Sequence, residues 1–505
     1  MKKSLFIPLR WSGLLLALCL GVAACKKDET PATPSPAPTP TPVPTPTPTA
    51  FDINSISDTY ASVAALSASA QWGPYNVHDP AVLKADDGYY YMYSTDVGYG
   101  IADANLTAGL QVRRSKDLVE WQFVGWALNG PPAMGTAYIT QRGGTPNHLL
   151  WAPYVLKVGS EYRLYYSLAS NVFKLSTIGL ATASSPTGPW TEKGLVVKTD
   201  NSAANITNGI DPTVLIDQQG QHHLYYGSAF DGIHTIKLDA ATGLAATPGD
   251  LGPRIAQRGF TGTQINGNIE GPEIIYNPDQ KKYYLFISYD WLQTKYNVRV
   301  GRADSPDGPF LDFKGHDINL AEDHGPMILA PYQFDGHSGW QGTGHCGVFS
   351  DGSGQYYMAH QGRPGIDSYY MDLHVRKIFW TPSGWPVVSP ERYAGEDNSA
   401  VAQADLAGTW EQITLNYIVI PGYGNEQITP NFQYSTALTL AADGTLGGAT
   451  TGTWTYAAPL LTLRFSNGTT AQVFAQKGRD WENKKSTLIL TGLDNNGTAI
   501  WAKKK

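Results

Sequence analysis

Three carboxylates stand at the heads of a phrase that this chain writes five times. Asp79 lies in HDPAVLKADDGYYYMYS, Asp211 in IDPTVLIDQQGQHHLYYGS and Glu270 in IEGPEIIYNPDQKKYYLFIS. The other two copies, WAPYVLKVGSEYRLYYS and HCGVFSDGSGQYYMAH, carry Trp151 and His345 at the head. A carboxyl group can take or give a proton, so several brought into one cavity make a candidate acid–base site. A module that only captures a ligand has no need of three mutually repelling acids. Turn chemistry is the competing account, because Asp-Pro is a common turn opener. Matched placement in three of five copies favours the site.

Geometry must bring the heads together. Each copy passes from its head into an apolar strand, a turn and a second strand dense in tyrosine. The heads at 79, 151, 211, 270 and 345 are separated by 72, 60, 59 and 75 residues, room for four strands with generous loops. A second echo keeps the same period: SSPTGPW at 184–190 recurs as DSPDGPF at 304–310, and RRSKDLVEW at 113–121 is a looser version. Pro and Gly at those offsets mark one turn. Residues 51–396 therefore read as a five-bladed β-propeller whose innermost strands border the axis, with the heads ringing one mouth. Residues 397–505 hold short strands split by Gly, Asn and Asp turns, a small antiparallel β-sandwich or barrel with no clustered acids or histidines. The expected fold class is all-β.

Composition narrows the partner. Charged residues are 16 % of the chain, the formal net charge is −7, and there are 29 Tyr and 14 Trp. That balance leaves no basic footprint for nucleic acid and suits a neutral, stackable ligand such as a sugar. Residues 1–25 read as an export signal: Lys2, Lys3 and Arg10, an apolar core from Leu14 to Leu20, then Val22-Ala23-Ala24-Cys25 as a bacterial lipobox with Cys25 as the lipidation site. Residues 26–50 are a Pro/Thr-rich linker favouring polyproline II, which would hold the folded body away from the membrane. The expected membrane contact is this lipid anchor alone, making the protein an extracytoplasmic lipoprotein of the outer membrane, on its periplasmic or its cell-surface side. Only Cys346 then remains in the folded part, so no intrachain disulfide forms.

The ordered motifs VHDP (77–80), WAPYV (151–155), NGIDPT (208–213), YGSAFDGI (226–233), IEGPEI (269–274), GTGHCGVF (342–349) and LHVRKIFWTPSGWP (373–386) resemble the endo-α-1,5-L-arabinanases of glycoside hydrolase family 43, in the larger subgroup with a C-terminal β-domain. The resemblance implies inverting hydrolysis of arabinan or an arabino-oligosaccharide. Asp79 would be the general base, Glu270 the general acid, and Asp211 the residue that tunes and holds that acid. A like charge nearby favours an acid's protonated form, and Asp211 would supply it while Asp79 stays ionised. The resemblance also implies a calcium ion near the axis held by His345 and waters; the competing reading of His345 is a neutral ring hydrogen-bonded in the channel. Trp151, Asn208, Ser228, Phe230 and Arg376 would contact substrate, and the protein would act as a monomer. Two other readings compete: an exo-acting α-L-arabinofuranosidase or β-xylosidase of the same fold, and a non-catalytic glycan-binding propeller.

Overall fold

Tyrosine-rich hairpins build five four-stranded antiparallel units in the computed structural model, which describes residues 69–101, 103–258, 260–261, 264–265, 268–416 and 431–505. The signal and linker segments, with Cys25, lie outside the described residues. Blade 1 comprises β1 (Ala81–Lys84), β2 (Tyr90–Ser94), β3 (Gln111–Ser115) and β4 (Gln122–Trp126). Blade 2 holds β5 (Trp151–Val158), β6 (Glu161–Leu168), β7 (Thr177–Ala183) and β8 (Thr191–Lys198). In blade 3 the strands are β9 (Thr213–Ile216), β10 (His222–Tyr226), β11 (Ile233–Leu238) and β12 (Arg254–Ala256). A two-stranded ribbon, β13 (Phe260–Thr261) and β14 (Gln264–Ile265), precedes blade 4, made of β15 (Ile269–Asn277), β16 (Lys282–Tyr289), β17 (Asn297–Ala303) and β18 (Met327–Leu329). Blade 5 contains β20 (Trp340–Ser350), β21 (Tyr356–Pro364), β22 (Asp372–Trp380) and β23 (Pro386–Val388), with β19 (Tyr332–Gln333) joined to β20.

The repeated tyrosines explain how one blade finds the next. Strands β2 and β10 are buried along their whole length, and β6 and β16 at every position but the first, which is only half-buried, so these strands sit between neighbouring blades. A hydroxyl buried there needs a partner. Tyr93 donates to Pro186 O in blade 2, Tyr165 to Gly243 O at 2.9 Å in blade 3, and Tyr225 to Pro306 O at 2.6 Å in blade 4. Tyr284 donates to Gly384 O in blade 5. Pro186 and Pro306 belong to the SSPTGPW and DSPDGPF turns, so the second echo in the sequence supplies two of these four acceptors. Each such bond contributes roughly 0.5–1.5 kcal/mol.

Blade 5 closes on blade 1 without exchanging a strand. The backbone of residues 74–77 pairs with the start of β22, through Leu373 N to Pro74 O at 2.8 Å and Val77 N to Met371 O at 3.1 Å. Val77, Tyr90 and Met92 share a buried cluster with Phe349, Tyr357, Leu373 and Val375 across that seam.

The C-terminal region is a closed eight-stranded barrel of β24 (Gly408–Leu415), β26 (Thr436–Leu440), β27 (Thr445–Gly448), β28 (Gly452–Ala457), β29 (Leu460–Phe465), β30 (Thr470–Asp480), β31 (Lys485–Asp494) and β32 (Ala499–Lys504). Its interior is filled by Trp410, Trp454, Leu438, Leu461, Leu463, Val473, Leu490 and Ile500. The strand β25 (Gln433–Tyr434) leaves the barrel and pairs parallel with β19. A single apolar cluster joins Ile413, Leu415, Leu493 and Trp501 of the barrel to Tyr332, Trp340, Trp385 and Val387 of the propeller. Contrary to the expectation from sequence, acids do gather at this junction. The Lys503 ammonium, fully buried, lies 3.1 Å from Glu391, 2.8 Å from Asp480 and 2.5 Å from Glu482. Glu391 reaches the two barrel acids from far along the chain, which hid the cluster.

Candidate active site

One backbone device, used five times, aims the heads at the axis. In β5, β15 and β20 two residues of the inner strand oppose one of the second strand, a β-bulge, between Trp151 and Tyr154, Glu270 and Glu273, and Gly344 and Gly347. Blades 1 and 3 repeat it just before β1 and β9, where Thr95 N donates to His78 O and Gly227 N to Ile210 O. The first bulged residue is left-handed every time: Asp79 (φ 54°), Ala152 (φ 30°), Asp211 (φ 59°), Gly271 (φ 58°) and His345 (φ 46°). Glu270 is therefore offset by one residue from Asp79 and Asp211; Gly271 holds the matched place. Space as well as backbone conformation favours glycine there, since an added Cβ would lie 2.9 Å from the His345 ring.

The bulge amides form a ring, each donating to the preceding blade. Ala152 N donates to Thr95 Oγ1 (2.7 Å), Asp211 N to Ser167 Oγ (3.0 Å), His345 N to Ser288 Oγ (2.8 Å) and Asp79 N to Gln361 Oε1 (3.0 Å), the last across the closing seam. Those acceptors stand at the equivalent place on each second strand. Blade 3 has Gly227 there, so Gly271 N turns to the Asp211 carboxylate instead, at 3.2 Å. Asp211 thus grips the peptide beside Glu270.

A cavity of about 360 Å³ opens at this mouth, lined by Asp79, Asp211, Glu270, His345 and Trp151 among others. The three acids meet as the repeat predicts. Asp79 receives Thr95 Oγ1 on Oδ2 at 2.6 Å, and His78 Nδ1 and His345 Nδ1 stand 2.7 and 2.9 Å from its Oδ1. Burial opposes charge on Asp79, but the two imidazoles outweigh it and hold the carboxyl well below its usual range. Burial pushes Asp211 up to about 8; His345 opposes that rise, while the like charges of Glu270 and Asp79 add to it. Full enclosure and the two flanking carboxylates thus favour the protonated form of Asp211, against the ionised form expected from sequence. His345 loses some basicity to burial, yet Asp79, Asp211 and Glu270 lift it to about 9.

The remaining residues singled out in the sequence divide. Trp151 lines the cavity. Ser228 lines it too, but its hydroxyl donates to Glu270 Oε2 at 2.7 Å, making it a partner of the acid. Phe230 lies on the mouth loop between β10 and β11 and packs edge-on to Phe173, with ring centroids 4.6 Å apart. Asn208 lies outside the cavity lining and accepts from Ser176 Oγ at 2.5 Å. Arg376 does not reach the site. It sits on the third strand of blade 5, fully buried, bonded to His360, Ser389 O and Tyr332 OH and stacked near Trp501. Arg363 is the arginine of the cavity. Sequence reading also passed over Thr95 and Gln361, whose signal is a polar residue following the tyrosines of the second strand in four of the five copies. Cys346 is buried in the propeller–barrel cluster, and His222, His223 and His374 are buried.

Calcium takes oxygen ligands and keeps water in its shell. His345 lines the cavity at the axis, with its Nδ1 turned to Asp79 Oδ1 at 2.9 Å. A neutral imidazole whose Nδ1 is held by Asp79 would leave Nε2 to join waters around a hydrated calcium ion.

Comparison with known proteins agrees with this architecture. An extracellular endo-α-(1→5)-L-arabinanase of Thermotoga petrophila is 27 % identical over 471 residues, covering 84 % of this chain and 93 % of the relative. Extracellular endo-α-(1→5)-L-arabinanase 2 of Bacillus subtilis is 28 % identical over 477 residues, covering 85 % and 93 %. The crystal structure of endo-1,5-α-L-arabinanase from Thermotoga petrophila superposes with a TM-score of 0.72 at 26 % identity, covering 86 % of this chain and 99 % of that one. Residues 390–502 match the C-terminal lipocalin-like domain that accompanies this catalytic fold. Residues 73–386, the whole propeller, match the model of glycosyl hydrolases family 43, and the chain belongs to that family.

Proposed function

We propose that this glycoside hydrolase cleaves internal α-1,5-L-arabinofuranosidic bonds of arabinan with inversion at the anomeric carbon. The observation that carries the reading is the meeting of Asp79, Asp211 and Glu270 in one cavity at the mouth of the propeller. Asp79, ionised, takes a proton from the attacking water; Glu270 gives one to the departing glycosidic oxygen. Inversion needs these two carboxyls on opposite sides of the sugar, roughly 6.5–9.5 Å apart, with the water between. Asp211 holds the Glu270–Gly271 peptide and so the direction of the acid.

Internal cleavage is favoured by what surrounds the cavity. Five exposed apolar side chains stand on loops of the mouth side: Phe173 between β6 and β7, Ile206 between β8 and β9, Trp291 between β16 and β17, and Ile366 and Tyr369 between β21 and β22. Such surfaces can carry sugar units on both sides of the cleaved bond. A rapid fall in the viscosity of linear arabinan with little free arabinose tests this; early release of arabinose alone would select exo-action, and binding without hydrolysis would select a glycan-binding module.

A calcium ion on the axis is part of the proposal, with His345 and waters as its ligands. When bound it would add positive charge beside Asp79 and favour that carboxylate's ionised form. The relatives bear the name extracellular, which supports an extracytoplasmic site of action for this chain. Lipid attachment at Cys25, outer-membrane anchoring and a monomeric state complete the proposal. Release of a Cys25→Ala variant from the membrane fraction tests the anchor.

A further inference from the structure

The acid of the pair is held from two sides by hydroxyls of different kinds. Ser228 Oγ donates to Glu270 Oε2 at 2.7 Å from the cavity wall. Tyr296 OH donates to Glu270 Oε1 from behind. Tyr296 is buried, stands immediately before β17 and does not line the cavity. Its ring is backed by blade 5: a Cβ added at Gly344 would sit 2.5 Å from the ring, and the Tyr296 carbonyl accepts from Thr343 Oγ1 at 3.3 Å. The strand that carries His345 therefore also fixes this phenol.

Resting on the reading of Glu270 as the acid, we infer that Tyr296 is a positioning residue that occupies Oε1, so that Oε2, on the cavity side beside Ser228, is the oxygen that carries and delivers the proton. A serine hydroxyl can turn about one bond and stop donating to Oε2 when that oxygen is protonated. The phenol is wedged and stays a donor; burial, then the charges of Glu270, Asp79 and Asp211, push its own ionisation far upward. In the step, the Oε2–H bond breaks as the proton passes to the glycosidic oxygen and the C1–O bond breaks. Negative charge then appears on the carboxylate, and the phenol's hydrogen bond strengthens, as bonds to ionised acceptors do. Tyr296 thus favours the state after proton transfer over the state before it.

Tyr296→Phe keeps the ring and removes only the donor. On arabinan, kcat is expected to fall about ten- to a hundredfold, the usual worth of a hydrogen bond to a charged group, with KM changed by less than about twofold. The high-pH limb of kcat/KM moves upward, because the ionised form of the acid has lost a donor. On a 4-nitrophenyl arabino-oligoside, whose leaving group departs without protonation, the variant stays within about threefold of the parent enzyme. Gly344→Ala, which keeps the hydroxyl but displaces the ring, should show the same pattern and serves if Tyr296→Phe does not fold. Equal losses on both substrates with an unmoved pH limb, or wild-type turnover of arabinan, would overturn the inference. Glu270→Ala run alongside separates the two levels: if it too lacks dependence on the leaving group, the assignment of the acid falls, and Tyr296 with it.

Discussion

Gly271→Ala probes the bulge that aims the site. At φ 58° an alanine costs about 1–2 kcal/mol in backbone strain alone. The new Cβ would also lie 2.9 Å from both Cγ and Nδ1 of His345, closer than such atoms approach. Either the ring or the strand must shift by several tenths of an ångström. The ring is the one 2.9 Å from Asp79 Oδ1, and the strand is the one that carries Glu270. Both routes move a reacting group, and displacements of order 1 Å can cost roughly 10²-fold in rate. The expected result is a loss of about ten- to a hundredfold in kcat/KM on linear arabinan, with a melting temperature lowered by a few degrees. Gly88→Ala is the control. Gly88 has φ 80°, lies in the β1–β2 turn and has no atom within 4 Å of an added Cβ, so it bears the strain without the clash. It should lose similar stability and no activity. Wild-type kcat/KM in Gly271→Ala would refute the claim that the bulge geometry sets the site.

Other outcomes follow from the same contacts. Because burial and its neighbours place Asp211 near 8, above its unfolded value of 3.8, stability should decline as pH rises from about 4 to about 8, and Asp211→Asn should flatten that decline in denaturation followed across the range. Asp79 is depressed, so its contribution is present above pH 3.8 and lost as pH falls further, and the acid limb of kcat/KM should lie below about pH 4. Lys503→Met leaves Glu391, Asp480 and Glu482 buried without a cation and should destabilise by about 3–5 kcal/mol in chemical denaturation, a deficit that shrinks as acid protonates them. Chelator should lower kcat, and added calcium should restore it; full activity in a metal-free sample would remove the ion from the account.

Much of the site was legible because its signals are local. An acid followed by proline or by Gly-Pro, ahead of a tyrosine strand, announces the bulge in blades 1, 3 and 4, and the five-fold repetition announces the axis. The offset of Glu270 was hidden, since reading the heads as equivalent ignores that Gly271 occupies the left-handed place. Arg376 looked attractive inside HVR, but its strand is third from the axis and its guanidinium is consumed by His360, Ser389 and Tyr332. Tyr296, Thr95, Gln361 and Arg363 were missed for one reason. Their places in the site depend on the register between strands and on which blade is the neighbour, and neither is written in a local pattern. The Lys503 cluster escaped in the same way, its acids being shared between the propeller's end and the barrel.

The central claim is that Asp79 and Glu270 flank a single glycosidic bond, one activating water and the other protonating the leaving oxygen. Proton NMR of debranched arabinan during the first moments of hydrolysis, before mutarotation, tests it most directly. The account predicts new reducing ends of the β anomer from α linkages, and loss of that signal in both Asp79→Ala and Glu270→Ala. First release of the α anomer would contradict it.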